Sequence, residues 1–85
     1  MRSGTVIMFY TYILNLGNQS YYVGYSTNLR ERIKHHQHHL VRSTKNHDKI
    51  ELVYYSAFKD RSKAVNFEKY LKSSSGAAFR NKHLI

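Results

Sequence analysis

At 85 residues the chain has room for one domain spanning positions 1 to 85 and excludes a second; at that length folding buries only about 60 to 65% of the extended surface, so the core is small. The absence of cysteine excludes disulfides and thiolate zinc sites, which leaves apolar packing, with eight Tyr and four Phe as its main resource. Fourteen Lys and Arg against five Asp and Glu give a net charge of +9, which points to a polyanionic partner.

No apolar run approaches the roughly 18 residues that span a bilayer, and Met1 to Val6 lacks the apolar run and cleavage site of a signal peptide, so the chain is expected in the cytosol and off the membrane. Ile7 to Leu14, IMFYTYIL, is β-branched and aromatic with apolar side chains on both parities. That pattern predicts a strand covered on both faces in the middle of a sheet, ending at Asn15. Turn residues around Gly17-Asn18 lead to Tyr21 to Tyr25, YYVGY, a second strand paired back on the first. Gly24 adds no packing to that strand, so another backbone, a side chain or a ligand is expected close to it.

Asn28 with Glu31 three residues on approximates a capping box for a helix running to about His39. Projected at about 100° per residue, Leu29, Ile33 and Leu40 share one stripe, and Arg32 and His36 fall on it too. Val41 to Asp48 reads as a basic polar loop. Lys49 to Ala57 returns to alternation, with Ile50, Leu52 and Tyr54 opposite Val53, Tyr55 and Ala57, as a third strand. Asp60 or Ser62 caps a second helix with Ala64, Phe67 and Leu71 inward and Glu68 on the flank of that stripe; Gly76 breaks it, and Ala77 to Leu84 forms a short basic terminal helix.

Arg32, His36 and Glu68 thus place a cation, an imidazole and a carboxylate on core-facing surfaces, where each costs several kcal/mol unless paired or used. One explanation is an Arg32–Glu68 salt bridge between helices. The other is a phosphoryl site: Glu68 with a hard divalent metal, an imidazole or polar ring, and Arg32 for developing charge are what phosphodiester cleavage requires. The histidines of HHQHH at 35, 36, 38 and 39 bring only pairs of rings together, too few for a structural zinc site. Basic residues dominate the second half, among them Lys45, Lys69, Lys72, Arg80 and Lys82, the expected sequence-independent contacts to nucleic-acid phosphates.

The run Tyr10 to Leu14, then Tyr22-Val23-Gly24, then Ser26-x-Asn28-Leu29-x-x-Arg32-Ile33-x-x-His36, resembles the GIY-YIG nuclease superfamily. Leu52 to Tyr55, Phe67 to Lys72 and Gly76 to Leu84 resemble its short stand-alone bacterial proteins, so the likeness covers residues 8 to 84. It implies an α+β fold, a small three-stranded antiparallel sheet flanked by helices, and a hydrolytic site of the kind found in excision-repair nucleases. Tyr12 and Tyr22 would be the tyrosines of the two motifs, Tyr12 acting as general base or water-positioner. Arg32 would steady the phosphate, His36 would assist, and Glu68 would bind Mg²⁺ or Mn²⁺. Tyr10 replaces the glycine of the first motif, and Tyr25 stands where repair nucleases carry a lysine. The expected function is a metal-dependent endonuclease acting on DNA rather than RNA through structure, since no residues remain for a sequence-reading domain. The alternatives are a nucleic-acid-binding module of the same fold without useful catalysis, and an adaptor for an acidic partner.

Overall fold

The computed structural model describes residues 7–85; the reading of Met1 to Val6 lies outside them. Three antiparallel strands, β1 (Phe9–Gly17), β2 (Ser20–Ser26) and β3 (Glu51–Phe58), form a sheet of order β2-β1-β3. Three helices accompany them: α1 (Leu29–Gln37), α2 (Arg61–Lys72) and α3 (Ser74–His83). As its two-sided apolar pattern demands, β1 is the middle strand, with Thr11 to Leu14 all buried. Tyr12, Leu14 and Leu16 pack with Leu29 and Ile33 of α1 on one face, and Ile13 packs with Val23, Phe67 and Leu71 on the other. Thr11 donates its hydroxyl to the Ala64 carbonyl of α2 at 2.7 Å, which ties that face to the helix.

Four expectations need correction. The first strand does not end at Asn15 but runs to Gly17, because Leu16 is an extra residue in the β1–β2 ladder and the reversal falls at Asn18–Gln19. Both of those residues have positive φ (52° and 60°), the geometry of a two-residue hairpin turn whose twist matches the strands. In β3, Ile13 pairs with Tyr54 and Leu14 with Leu52, so Val53 is a one-residue bulge. Strict alternation therefore fails there: Leu52 and Tyr55 share the α1 face, while Tyr54 joins Val53 on the α2 face. Leu40 is 70% exposed rather than inward, because α1 stops at Gln37 and His39 takes a positive φ of 60°.

Gly76, finally, lies inside α3 and breaks nothing. The break is at Ser73, which is the C-cap of α2 and the N-cap of α3. Its hydroxyl donates to the Tyr70 carbonyl at 2.6 Å and accepts from the Gly76 amide at 3.2 Å. Gly76 is glycine for closeness, since a Cβ there would overlap the backbone of Tyr70 and Leu71. The other caps are as read: Asn28 accepts from the Glu31 amide at 3.1 Å and Asp60 from the Ser62 amide at 2.9 Å. Among the described residues no helix is long and apolar enough to cross a membrane.

Candidate active site

Tyr12 points from the middle strand across its β2 partner Gly24, and a Cβ at Gly24 would overlap the tyrosine ring and hydroxyl. The side chain anticipated beside that glycine is Tyr12 itself. Tyr22, two residues before Gly24 and on the same face, closes on Tyr12 with ring centroids 6.2 Å apart. From above, α1 lowers His36, fully buried, into edge contact with the Tyr12 ring at 5.6 Å and tilted contact with the Tyr22 ring at 5.0 Å.

Hydrogen bonds thread these groups in order. His36 Nε2 is 2.8 Å from the Tyr12 hydroxyl, and His36 Nδ1 is 2.7 Å from the hydroxyl of Thr44, also fully buried. Donor bookkeeping gives the chain a direction. Thr44 has no other side-chain partner among the described residues, so its O–H is satisfied only by donating to Nδ1; Nε2 then carries the ring proton and donates to the Tyr12 oxygen. The Tyr12 proton then points away from His36, on the side of Tyr22.

Electrostatics agree with a neutral imidazole. Burial, reinforced by Arg32 and then His35, lowers the His36 pKa from 6.5 to about 4. Burial also pushes the Tyr12 phenol well above its usual range, Tyr22 pushes the same way, Arg32 opposes, and Glu68 raises it further. Arg32 and Glu68 are therefore both close enough for their charges to act on Tyr12, although they come from different helices. They do not form the salt bridge weighed from the sequence: Glu68 accepts from Lys72 Nζ at 2.8 Å, one turn along α2, with its side chain 20% exposed.

Glu68 is thus a hard oxygen donor close enough for its charge to act on Tyr12. No group of three or more acidic or imidazole side chains that could share an ion occurs among the described residues, so a metal here would rest on Glu68 and fill its shell with water and phosphate oxygens, as Mg²⁺ and Mn²⁺ commonly do. The donor set fits such an ion.

Residues 8–82 match the family described as GIY-YIG catalytic domain. The chain belongs to the GIY-YIG family. Membership implies nuclease activity on a nucleic-acid substrate, and GIY-YIG nucleases generally use a divalent metal. Curated relatives are UPF0213 proteins, whose names state no activity. One from Clostridium perfringens (strain 13 / Type A) is 35% identical over 66 residues, 76% of this chain and 71% of its own length. One from Natronomonas pharaonis is 32% identical over 69 residues, covering 80% of this chain and 81% of its own. One from Pediococcus acidilactici is 30% identical over 70 residues, 79% and 71% of the two chains. No solved structure matches the chain.

Of the residues anticipated for the GIY-YIG site, Tyr12, Tyr22, Arg32, His36 and Glu68 converge. The anticipated phosphate contacts are dispersed: Lys45 follows Thr44 in the turn, Lys69 and Lys72 are exposed on α2, Lys82 is exposed on α3, and Arg80 lies over the Tyr21 ring at 5.3 Å. Tyr25, where repair nucleases carry lysine, has the Arg61 guanidinium 5.8 Å above its ring, but on the sheet face opposite Tyr12. Thr44 went unnoticed in the sequence. A lone threonine in a basic loop carries no periodicity, and only its spacing of eight from His36 offers a faint signal.

Proposed function

We propose that this chain is a divalent-metal-dependent endonuclease that hydrolyses nucleic-acid phosphodiesters, DNA rather than RNA, choosing substrates by structure rather than base sequence. The observation that carries this reading is the directed chain Thr44 to His36 to Tyr12, ending at a phenol within reach of the Arg32 and Glu68 charges. Water attacks phosphorus, the bond from phosphorus to the 3′ oxygen breaks, and the products are a 3′-hydroxyl and a 5′-phosphate. Tyr12 orients the water and takes its proton as the phenol's own proton passes to solvent, from which the departing 3′ oxygen is protonated, while His36 Nε2–H steadies the phenol oxygen throughout. Tyr22 packs the pair in place. Arg32 neutralises charge that grows on the non-bridging oxygens, an effect worth more in a site partly screened from water. A metal on Glu68 would supply Lewis acidity at the phosphate and a field that makes the phenol and water more acidic.

A binding module of the same fold is the second reading, favoured by the Glu68–Lys72 pair, in which an ammonium already sits on the carboxylate. Both readings are tested by incubating the protein with single-stranded, flap and branched DNA and with structured RNA in Mg²⁺ or Mn²⁺, beside EDTA and Glu68→Ala. The endonuclease reading expects cleavage that EDTA abolishes and that Glu68→Ala lowers by at least about 100-fold, with binding retained. Intact substrates despite measurable wild-type binding would sink it in favour of the module.

A further inference from the structure

On the flank of α1 away from Arg32, an open groove of about 670 Å³ runs between the helix and β3. Its floor is aromatic. Tyr10 and Tyr55 stand 6.2 Å apart between ring centroids, tilted by 58°, and Tyr55 is 54% exposed. Its rim is cationic: Arg30 and Lys34, four residues apart on α1, line it, neither is in an ion pair among the described residues, and no carboxylate lines the groove.

The register explains why this surface is open. The Val53 bulge turns Leu52 and Tyr55 to the α1 face, yet Leu29 and Ile33 cover only the Tyr12 and Leu14 part of that face, so the β3 portion is left bare. An apolar partner would leave the two cations unanswered, and a simple anion would leave the rings unused. A group with a flat π-face and a negative charge beside it uses both. Asn28 lines this groove and also the smaller hollow that contains Arg32 and His35, so the two meet around the start of α1, across about one helix diameter, ~10 Å.

We propose that the groove between α1 and β3 holds an unpaired nucleotide of the substrate strand, its base against Tyr55 and Tyr10 and its phosphate between Arg30 and Lys34. This rests on the reading of nucleic acid as substrate and deepens it. A base in a continuous duplex has both faces stacked and cannot enter, so the groove selects single-stranded or branched substrates.

The test is fluorescence anisotropy in EDTA with a labelled oligothymidylate single strand and a duplex of the same length, comparing wild type, Tyr55→Ala, Tyr55→Phe and the double variant Arg30→Met/Lys34→Met. Tyr55→Ala is expected to weaken single-strand binding about tenfold, within the range for loss of one base–aromatic stack, and to leave duplex binding unchanged. Tyr55→Phe keeps the ring and wild-type affinity. The double variant lowers the salt slope on single strands by about 0.7, the value for one neutralised phosphate. Unchanged single-strand affinity in a folded Tyr55→Ala, or equal loss on single strand and duplex, overturns the proposal. A wild type that cleaves in Mg²⁺ while Tyr55→Ala binds normally removes the groove and spares the nuclease reading; Tyr55-dependent binding by a wild type that never cleaves does the reverse.

Discussion

Lowering the pH from about 8 to about 5 tests the burial of His36. Its pKa is about 4 in the folded protein against 6.5 for an ordinary histidine, held down by burial and by the Arg32 and His35 charges. Between those values the unfolded chain binds a proton that the folded chain refuses. Stability is therefore full above pH 6.5 and falls as the pH drops toward 4, with no further loss from this group below that. Integrating the linkage between those two values gives a loss of about 2 kcal/mol at pH 5, a large share for a domain of this size. Asp60, whose pKa is lowered from 3.8 by its bonds to Ser62, stays ionised throughout and adds nothing in this window. The assay is urea unfolding followed by circular dichroism at both pH values, for wild type and for His36→Gln. The variant is less stable at pH 8, since it disturbs Tyr12 and Thr44, but its stability should depend on pH by about 2 kcal/mol less than the wild type's. Equal pH dependence in the two proteins would refute the buried neutral imidazole.

Two further substitutions probe the same assembly. Gly24→Ala puts a methyl group into the Tyr12 ring, which is buried and has nowhere to turn; a stability loss of about 1 to 3 kcal/mol is expected by denaturant titration, with cleavage lost because Tyr12 leaves His36. Thr44→Val keeps the shape but strands His36 Nδ1, at a cost of about 1 to 3 kcal/mol. Thr44→Ser should restore most of that, and nitrogen NMR of the wild type should show the Nε2–H tautomer; an Nδ1–H tautomer would contradict the assigned direction.

Much of this arrangement was legible in the sequence because it depends on local periodicity. A strand apolar on both parities must be central, and a polar residue on an apolar helical stripe must face inward, which located β1, Arg32 and His36 before any coordinates. Helical projection also put Glu68 on the flank of the α2 stripe, and the motif spacing added Tyr12 and Tyr22. What escaped depends on pairing or on contacts between distant segments. The Val53 bulge is fixed by the partner strand, so no single-strand pattern reveals it, and it reversed the faces given to Tyr54 and Tyr55. Gly76 looked like a stop signal because glycine ends helices more often than it lets one helix approach another. Thr44 is buried against His36 of α1, and a polar loop gives no warning of that.

The bond between Tyr12 and His36 joins positions 24 apart, and that between Thr11 and Ala64 joins positions 53 apart. Contacts of such separation form only after long loops have closed, late in folding. Of the proposed catalytic groups, Tyr12, Tyr22, Arg32 and His36 lie in one hairpin-and-helix stretch, and the set is complete only when α2 docks and brings Glu68. Activity and tertiary structure should vanish in one cooperative transition, and a partly unfolded copy would be a basic polymer that holds nucleic acid without cutting it.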